Sequence, residues 1–349
     1  MSTAKAYAAP TAKAPLEPFS VPLRSLRPDD LLIAIRFCGV CHSDIHKARD
    51  EWGGAMFPMV PGHEIVGEVV EAGTAVRKFE VGQRVGVGCF INCCGDCGQC
   101  KRQMEPYCSR SVPTYNALDH DGSAVYGGYA KMIVCKERFV FRMPTNLDAA
   151  ASAPLLCAGI TMWSPVTHLG LHLTPKRVGV LGLGGLGHMG VKLCKALGCE
   201  VTVLSRTPSK LAEATQRLGA DRFICSTDSV AMMAAAKSLD VILDTVSAKK
   251  DLAPYLALLD IEGVFCTVGL PEKDVEYSFV PKQLIRNRQT LTGSSVGGTE
   301  ETQAMLDFCG EKGIVCDIEM IRMDEINKAF DRVVASDVRY RFVIDMESF

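Results

Sequence analysis

The chain has 349 residues, 48% of them hydrophobic and 22% charged, with a net charge of −2. It has room for two ordinary domains with sizeable cores, and its charge balance gives no basis for binding nucleic acid or an anionic membrane. No apolar run approaches the ~20 residues of a membrane span. The Ala-rich start carries Lys5 and Lys13 and lacks the continuous apolar stretch of a secretory signal, so a cytoplasmic home is the default expectation.

The elements, in chain order, begin with short apolar or alternating segments at residues 31–37, 65–70 and 129–134. Gly, Pro and Asp separate them, which predicts a β-rich first region. Beyond Pro154 the texture changes. Buried-looking strands at 178–181, 201–204, 241–244 and 264–268 have helical stretches at 187–197, 209–218 and 252–259 among them. That alternation predicts an α/β doubly wound parallel sheet of Rossmann type. An amphipathic helix near 324–335 and a strand at 340–345 close the chain.

Five of the sixteen cysteines, Cys93, Cys94, Cys97, Cys100 and Cys108, fall within sixteen residues. The run Cys94-x2-Cys97-x2-Cys100-x7-Cys108 has the spacing of a closed tetrahedral site, and turns at Gly95 and Gly98 allow the thiolates to converge. Zinc suits four soft thiolates and leaves no position open for chemistry. An iron–sulfur cluster uses the same number of cysteines. Cys93 is a spare by this spacing.

A second set is dispersed. Cys41-His42-Ser43-Asp44-Ile45-His46, Gly62-His63-Glu64 and Cys157 offer thiolate, imidazole and carboxylate. Two thiolates and one imidazole would leave the open position that a catalytic zinc requires. Spacing alone does not establish that these residues meet.

The run from Val178 to Gly187 places G-x-G-x-x-G, formed by Gly182, Gly184 and Gly187, between a strand and a helix. Gly182, Leu183, Gly184, Gly185, Leu186 and Gly187 thus form a candidate pyrophosphate turn at a helix N-terminus. The next strand ends in Ser205-Arg206-Thr207-Pro208-Ser209-Lys210, without the carboxylate that grips the ribose 2′-hydroxyl of NAD. Ser205, Arg206 and Lys210 instead suit the 2′-phosphate of NADP(H).

These residues carry a resemblance. Gly62-His63-Glu64-x2-Gly67-x5-Gly73-x2-Val76 is similar to the zinc motif of the medium-chain zinc-dependent alcohol dehydrogenases. The four-cysteine lobe, Cys41 with Ser43 and His46, Cys157 and the glycine turn follow in that family's order over essentially the whole chain. The run 153–161 and Arg341-Phe342-Val343-Ile344-Asp345 resemble its cinnamyl-alcohol-dehydrogenase and NADP-dependent aldehyde reductase branch.

The resemblance implies a GroES-like catalytic domain at 1–157, a Rossmann domain at 158–296 and a return segment at 297–349. It implies two Zn2+ per chain. The catalytic ion is held by Cys41, His63 and Cys157, with Glu64 beside it and Asp44 orienting His63; the structural ion is held by Cys94, Cys97, Cys100 and Cys108. Ser43 and His46 form a proton relay, His being the side chain suited to proton transfer near neutrality. Thr161, Thr245, Gly269, Ser294, Ser295 and Val296 line the nicotinamide and ribose. Trp52, Cys89, Leu270 and Val296 wall an apolar substrate pocket. The implied activity is hydride transfer between NADP(H) and primary alcohols or aldehydes, in a homodimer formed through the nucleotide domain. An iminium or enone reductase on the same scaffold is the runner-up enzyme, though such branches often alter Ser43, His46 or the zinc ligands. A noncatalytic NADPH-binding protein is the alternative of another class, opposed by the intact open zinc set.

Overall fold

The structure is a computed structural model describing residues 3–349. It divides into two units. One runs up to Ile160 and resumes at Val296–Phe349; the other is Thr161–Ser295.

The first unit is built on a seven-stranded sheet. Its path runs Val140–Arg142, Arg84–Val87, Ile65–Ala72, Asp30–Val40, Arg341–Asp345, Ile318–Arg322, and Met132–Lys136 also pairs with Asp30–Val40. The eleven-residue strand Asp30–Val40 therefore joins early, middle and C-terminal sequence. Its alternation buries Leu31, Ile33 and Ile35 with Ile65, Val85, Phe342 and Ile344 in one core. The C-terminal strand enters antiparallel, with Phe342 opposite Val40 and Ile344 opposite Cys38. The expected strand at 129–134 begins instead at Met132. Tyr129 and Ala130 are drawn toward the N-terminal hairpin, where the Tyr7 amide donates to the Tyr129 carbonyl at 2.9 Å and Ala130 bridges Ala6.

The second unit is a parallel six-stranded sheet in the order Arg222–Cys225, Glu200–Ser205, Arg177–Leu181, Leu239–Asp244, Leu259–Thr267, Thr290–Gly293. All pairs are parallel, and the order reverses at Arg177–Leu181, the place where ligands bind in open α/β sheets. The expected strands and the helix after Gly184, observed as Gly185–Ala196, are present. The helix expected at 252–259 is a single turn, Ala253–Leu256. Its flanks are claimed by strands: Lys250–Asp251 pairs with Tyr277–Ser278, and Leu259 already pairs with Leu239. Two strands carried too little apolar pattern to be read in advance. Arg222–Cys225 and Thr290–Gly293 are the sheet's edges, less buried than the strands between them. No single helix among the described residues is long and apolar enough to cross a membrane.

Candidate active site and metal centres

Cys41 ends the segment after Asp30–Val40 and is the N-cap of the helix His42–Ala48. Asp44, at the third helical position, accepts from the Cys41 amide at 2.9 Å and closes this first turn. The same carboxylate accepts from the Gly62 amide at 3.1 Å, from His63 Nδ1 at 3.0 Å and from the Tyr129 hydroxyl at 3.0 Å. Four donors thus converge on one fully buried carboxylate, which turns His63 Nε2 away from Asp44 and toward Cys157. Gly62 lies at φ +105°, and a Cβ there would fall 2.7 Å from the Tyr129 ring and 2.9 Å from the Gly128 amide. The Tyr115 ring lies along the His63 imidazole, centroids 5.7 Å apart.

One ligand atom from each of Cys41, His63, Glu64 and Cys157 lies within 4.8 Å of every other, and all four residues are buried. The Cys41 and Cys157 sulfurs are 3.8 Å apart, and His63 Nε2 is 3.2 Å from the Cys157 sulfur. Two thiolates bound tetrahedrally at ~2.3 Å to one ion stand about 3.8 Å apart, so the spacing suits zinc. Glu64 Oε1 accepts from Arg341 at 3.0 Å, while its buried Oε2 has no hydrogen-bond partner. A carboxylate oxygen within 4.8 Å of two sulfurs and an imidazole nitrogen, on a carboxylate with one oxygen left unpartnered, fits a metal centre. Burial pushes the Glu64 carboxyl up to about 7 against the pull of the Arg341 guanidinium. A hydrogen bond with Cys157 lowers the Cys41 thiol well below its ordinary value.

The second donor group is Cys94, Cys97, Cys100 and Cys108. The Cys94 sulfur lies 3.8 Å from that of Cys100 and 3.5 Å from that of Cys108. The Cys97 amide points at the Cys94 sulfur and the Cys100 amide at the Cys97 sulfur, at 3.4 and 3.5 Å, as expected of thiolates turned inward by tight turns. Cys93 is outside this group.

Ser43 is half-buried on the Cys41 helix, and His46 follows one turn later, its ring stacked between His42 and Trp52 at 4.7 and 4.9 Å. His46 Nδ1 is paired with Glu51. Cys89 neighbours Cys157 and His63, and its thiol is lowered by a hydrogen bond with Cys157. Leu270 belongs to the other unit and is 62% exposed.

In the nucleotide unit, Gly182 has φ +92°, a conformation L side chains rarely adopt, and a Cβ on Gly187 would lie 2.1 Å from the Gly182 carbonyl. Lys210 Nζ donates to the Leu183 carbonyl at 2.7 Å, which holds the ammonium at the turn. Ser205 ends its strand with its hydroxyl accepting from the Thr207 amide at 3.2 Å, and Arg206 is exposed beside it. Thr245 Oγ1 donates to the Leu181 carbonyl at 2.8 Å, and the Ser294 amide donates to the Thr267 carbonyl at 3.0 Å. Sequence reasoning did not reach Arg341, Tyr129 or Tyr115 as parts of the metal site. No local pattern marks them: Arg341 meets the site through a C-terminal strand, and Tyr115 and Tyr129 meet it from irregular segments distant in the chain.

A β-rich unit carrying two zinc-suited donor groups, in one chain with a Rossmann unit that has a glycine turn, defines a zinc-binding nucleotide-linked dehydrogenase. Residues 27–145 match the family described as alcohol dehydrogenase GroES-like domain, and residues 185–311 match that described as zinc-binding dehydrogenase. Over 350 aligned residues the chain is 49% identical to NADP-dependent alcohol dehydrogenase C 1 of Mycolicibacterium smegmatis, covering 100% of this chain and 99% of the relative. Among solved structures it is similar to a cinnamyl alcohol dehydrogenase from Sorghum bicolor, with TM-score 0.95, 45% identity and coverage of 99% and 98%. It is also similar to the cinnamyl alcohol dehydrogenase of Helicobacter pylori complexed with NADP(H), with TM-score 0.93, 37% identity and coverage of 99% of each chain. The chain belongs to the medium-chain zinc alcohol dehydrogenase family.

Proposed function

We propose that this protein is an NADP-dependent zinc alcohol dehydrogenase that reduces apolar aldehydes to primary alcohols. The observation that carries the reading is the buried group Cys41, His63, Glu64 and Cys157 with its orphaned carboxylate oxygen. The similarity to NADP-dependent and cinnamyl alcohol dehydrogenases supports both the cofactor and the substrate class.

Cys41, His63 and Cys157 hold the catalytic ion, Glu64 stands beside it, and Cys94, Cys97, Cys100 and Cys108 hold the structural one. When bound, zinc supplies a Lewis acid for the carbonyl oxygen and NADPH supplies the hydride. Asp44 keeps the His63 ring oriented so that Nε2 is the ligand atom. Ser43 hands a proton to the substrate oxygen as charge develops there, and His46 passes protons onward to solvent. Trp52 and Cys89 contribute an apolar wall that excludes water from the reacting carbonyl.

Gly182 to Gly187 receive the pyrophosphate, with Leu183, Gly184, Gly185 and Leu186 supplying the approach and the helix N-terminus. Ser205, Arg206 and Lys210 receive the 2′-phosphate. Thr161, Thr245, Gly269, Ser294, Ser295 and Val296 line the remaining ribose and nicotinamide. The edge strand Thr290–Gly293, preceded by the exposed Phe279, Val280 and Ile285, suits pairing with a second copy of the chain in a homodimer.

The test is a panel of cinnamaldehyde, benzaldehyde and hexanal, each with NADPH and with NADH, following cofactor absorbance. Oxidation of NADPH at a much higher kcat/KM than NADH is the expected result. No turnover of any aldehyde by zinc-loaded protein overturns the reading.

A further inference from the structure

Asp244 ends the central strand Leu239–Asp244, and its carboxylate is completely buried. Lys250 Nζ donates to Asp244 Oδ2 at 2.6 Å and to the Val246 carbonyl at 2.6 Å. The Lys250 side chain is only 9% exposed. Its ammonium lies 4.5 Å from the centroid of the Tyr277 ring, whose hydroxyl donates to the same Val246 carbonyl at 3.3 Å. Asp244 Oδ1 accepts from the Val246 amide at 3.1 Å. Backbone pairing of Lys250 with Tyr277 in the two-stranded ribbon holds both groups in register. Residues 244–246 are thereby fastened on one side by a cation, a phenol and a carboxylate.

The other side of the same loop is the floor of the glycine turn. A Cβ on Gly182 would fall 2.8 Å from Thr245 Oγ1 and 2.8 Å from Val246 Cγ2, and one on Gly269 would fall 2.8 Å from the Thr245 carbonyl. Val246 accepts from Lys250 through its carbonyl and meets the turn through its side chain, so the ion pair and the turn share one residue. A shift of the loop by a few tenths of an ångström is a shift of the turn.

Stability does not explain the pair. Burial pushes the Asp244 carboxyl up and the Lys250 ammonium down, each against the attraction of the other. A buried pair of this kind is often no better for stability than apolar residues of the same volume, and its attested use is to specify position.

We propose that Lys250, held by Asp244 and Tyr277, is a positioning residue: it sets the Thr245 loop against the Gly182 turn and so tunes dinucleotide affinity without touching the cofactor. This rests on the assignment of the glycine turn to NADP(H) above. The loop supports the part of the dinucleotide that NADPH and NADH share, so losing the clamp weakens both alike.

The experiment is fluorescence titration of zinc-loaded wild type, Lys250→Met, Lys250→Arg, Asp244→Asn and the Asp244→Asn/Lys250→Met double variant with NADPH and with NADH. Lys250→Met is expected to raise both Kd values by about tenfold, the worth of one displaced charge-assisted hydrogen bond. Asp244→Asn should match it, Lys250→Arg should lose less, and the double variant should be no worse than either single change. The double variant carries the test if Lys250→Met alone does not fold, because it leaves no unpaired buried charge. Unchanged Kd values in the folded variants overturn the proposal. So does a loss confined to NADPH, or tighter binding in Asp244→Asn, since both mean that Lys250 meets a phosphate directly. Wild type that binds neither cofactor overturns the assignment of the turn instead, and the clamp with it.

Discussion

Glu64 and Arg341, 277 residues apart in the chain, form a buried ion pair 3.0 Å long beside the Cys41 and Cys157 sulfurs. The strand Arg341–Asp345 makes this meeting by lying antiparallel to Asp30–Val40. Arg341→Met removes the pull that opposes burial of the Glu64 carboxylate, so the carboxyl takes up a proton near neutrality and the stability loss grows as pH rises above about 7. Urea unfolding from about pH 6 to about pH 9 should show a difference from wild type that widens with pH, and Glu64→Gln/Arg341→Met should remove that pH dependence. A difference that does not change with pH would show that the Glu64 charge is not its source.

The two donor groups should separate by role. Purified protein should hold two zinc ions per chain. Cys157→Ser should abolish turnover yet leave a folded protein that still binds NADPH. Cys100→Ala should instead lower Tm by about 10 °C or more, because metal binding at a closed site is coupled to folding and each kcal/mol is worth about 2 °C at this size. Elemental analysis giving one zinc, or iron in the lobe, contradicts this division.

Cofactor preference should reside at the end of Glu200–Ser205. A charge-assisted hydrogen bond is worth roughly 1.5–3 kcal/mol, or about 10- to 150-fold in affinity. Ser205→Asp removes a donor and sets a carboxylate against the 2′-phosphate, so NADPH should weaken at least that much while NADH improves. Arg206→Ala should weaken NADPH and leave NADH nearly unchanged. The measurement is kcat/KM for both cofactors at fixed aldehyde, and equal losses for the two in Arg206→Ala would refute the assignment.

Acid should destabilise the first unit in part through Asp119. Burial alone would raise its carboxyl, but hydrogen bonds from Asn92, Arg27 and the His120 amide hold it below the ordinary carboxylate value. A depressed folded value means the contribution is complete above the unfolded value of about 3.9 and is lost as pH falls through the folded one. Wild type should therefore exceed Asp119→Asn in stability at pH 7, and the difference should shrink as pH falls below about 4. A difference that stays constant to pH 3 would mean that the charge is not the source.

The features legible in the sequence are those whose partners lie close along the chain. The four cysteines from Cys94 to Cys108 and the turn from Gly182 to Gly187 are each a single local loop, so spacing and residue type already specify their geometry. Strand and helix alternation beyond Pro154 likewise follows from apolar periodicity. Cys41, His63 and Cys157 were nameable as a set only through family resemblance, because His63 and Cys157 stand 94 residues apart and nothing local brings them together. The tertiary structure alone decided the rest. Tyr129 reaches Asp44 from 85 residues away, Arg341 reaches Glu64 through a C-terminal strand, and Lys250, six residues from Asp244, is held against it in a ribbon that pairs Lys250 with Tyr277. The physical reason is common to all three. A buried charge or hydroxyl must find a partner when it leaves water, and which partner is within reach is set by how the folded segments pack, not by residue type alone.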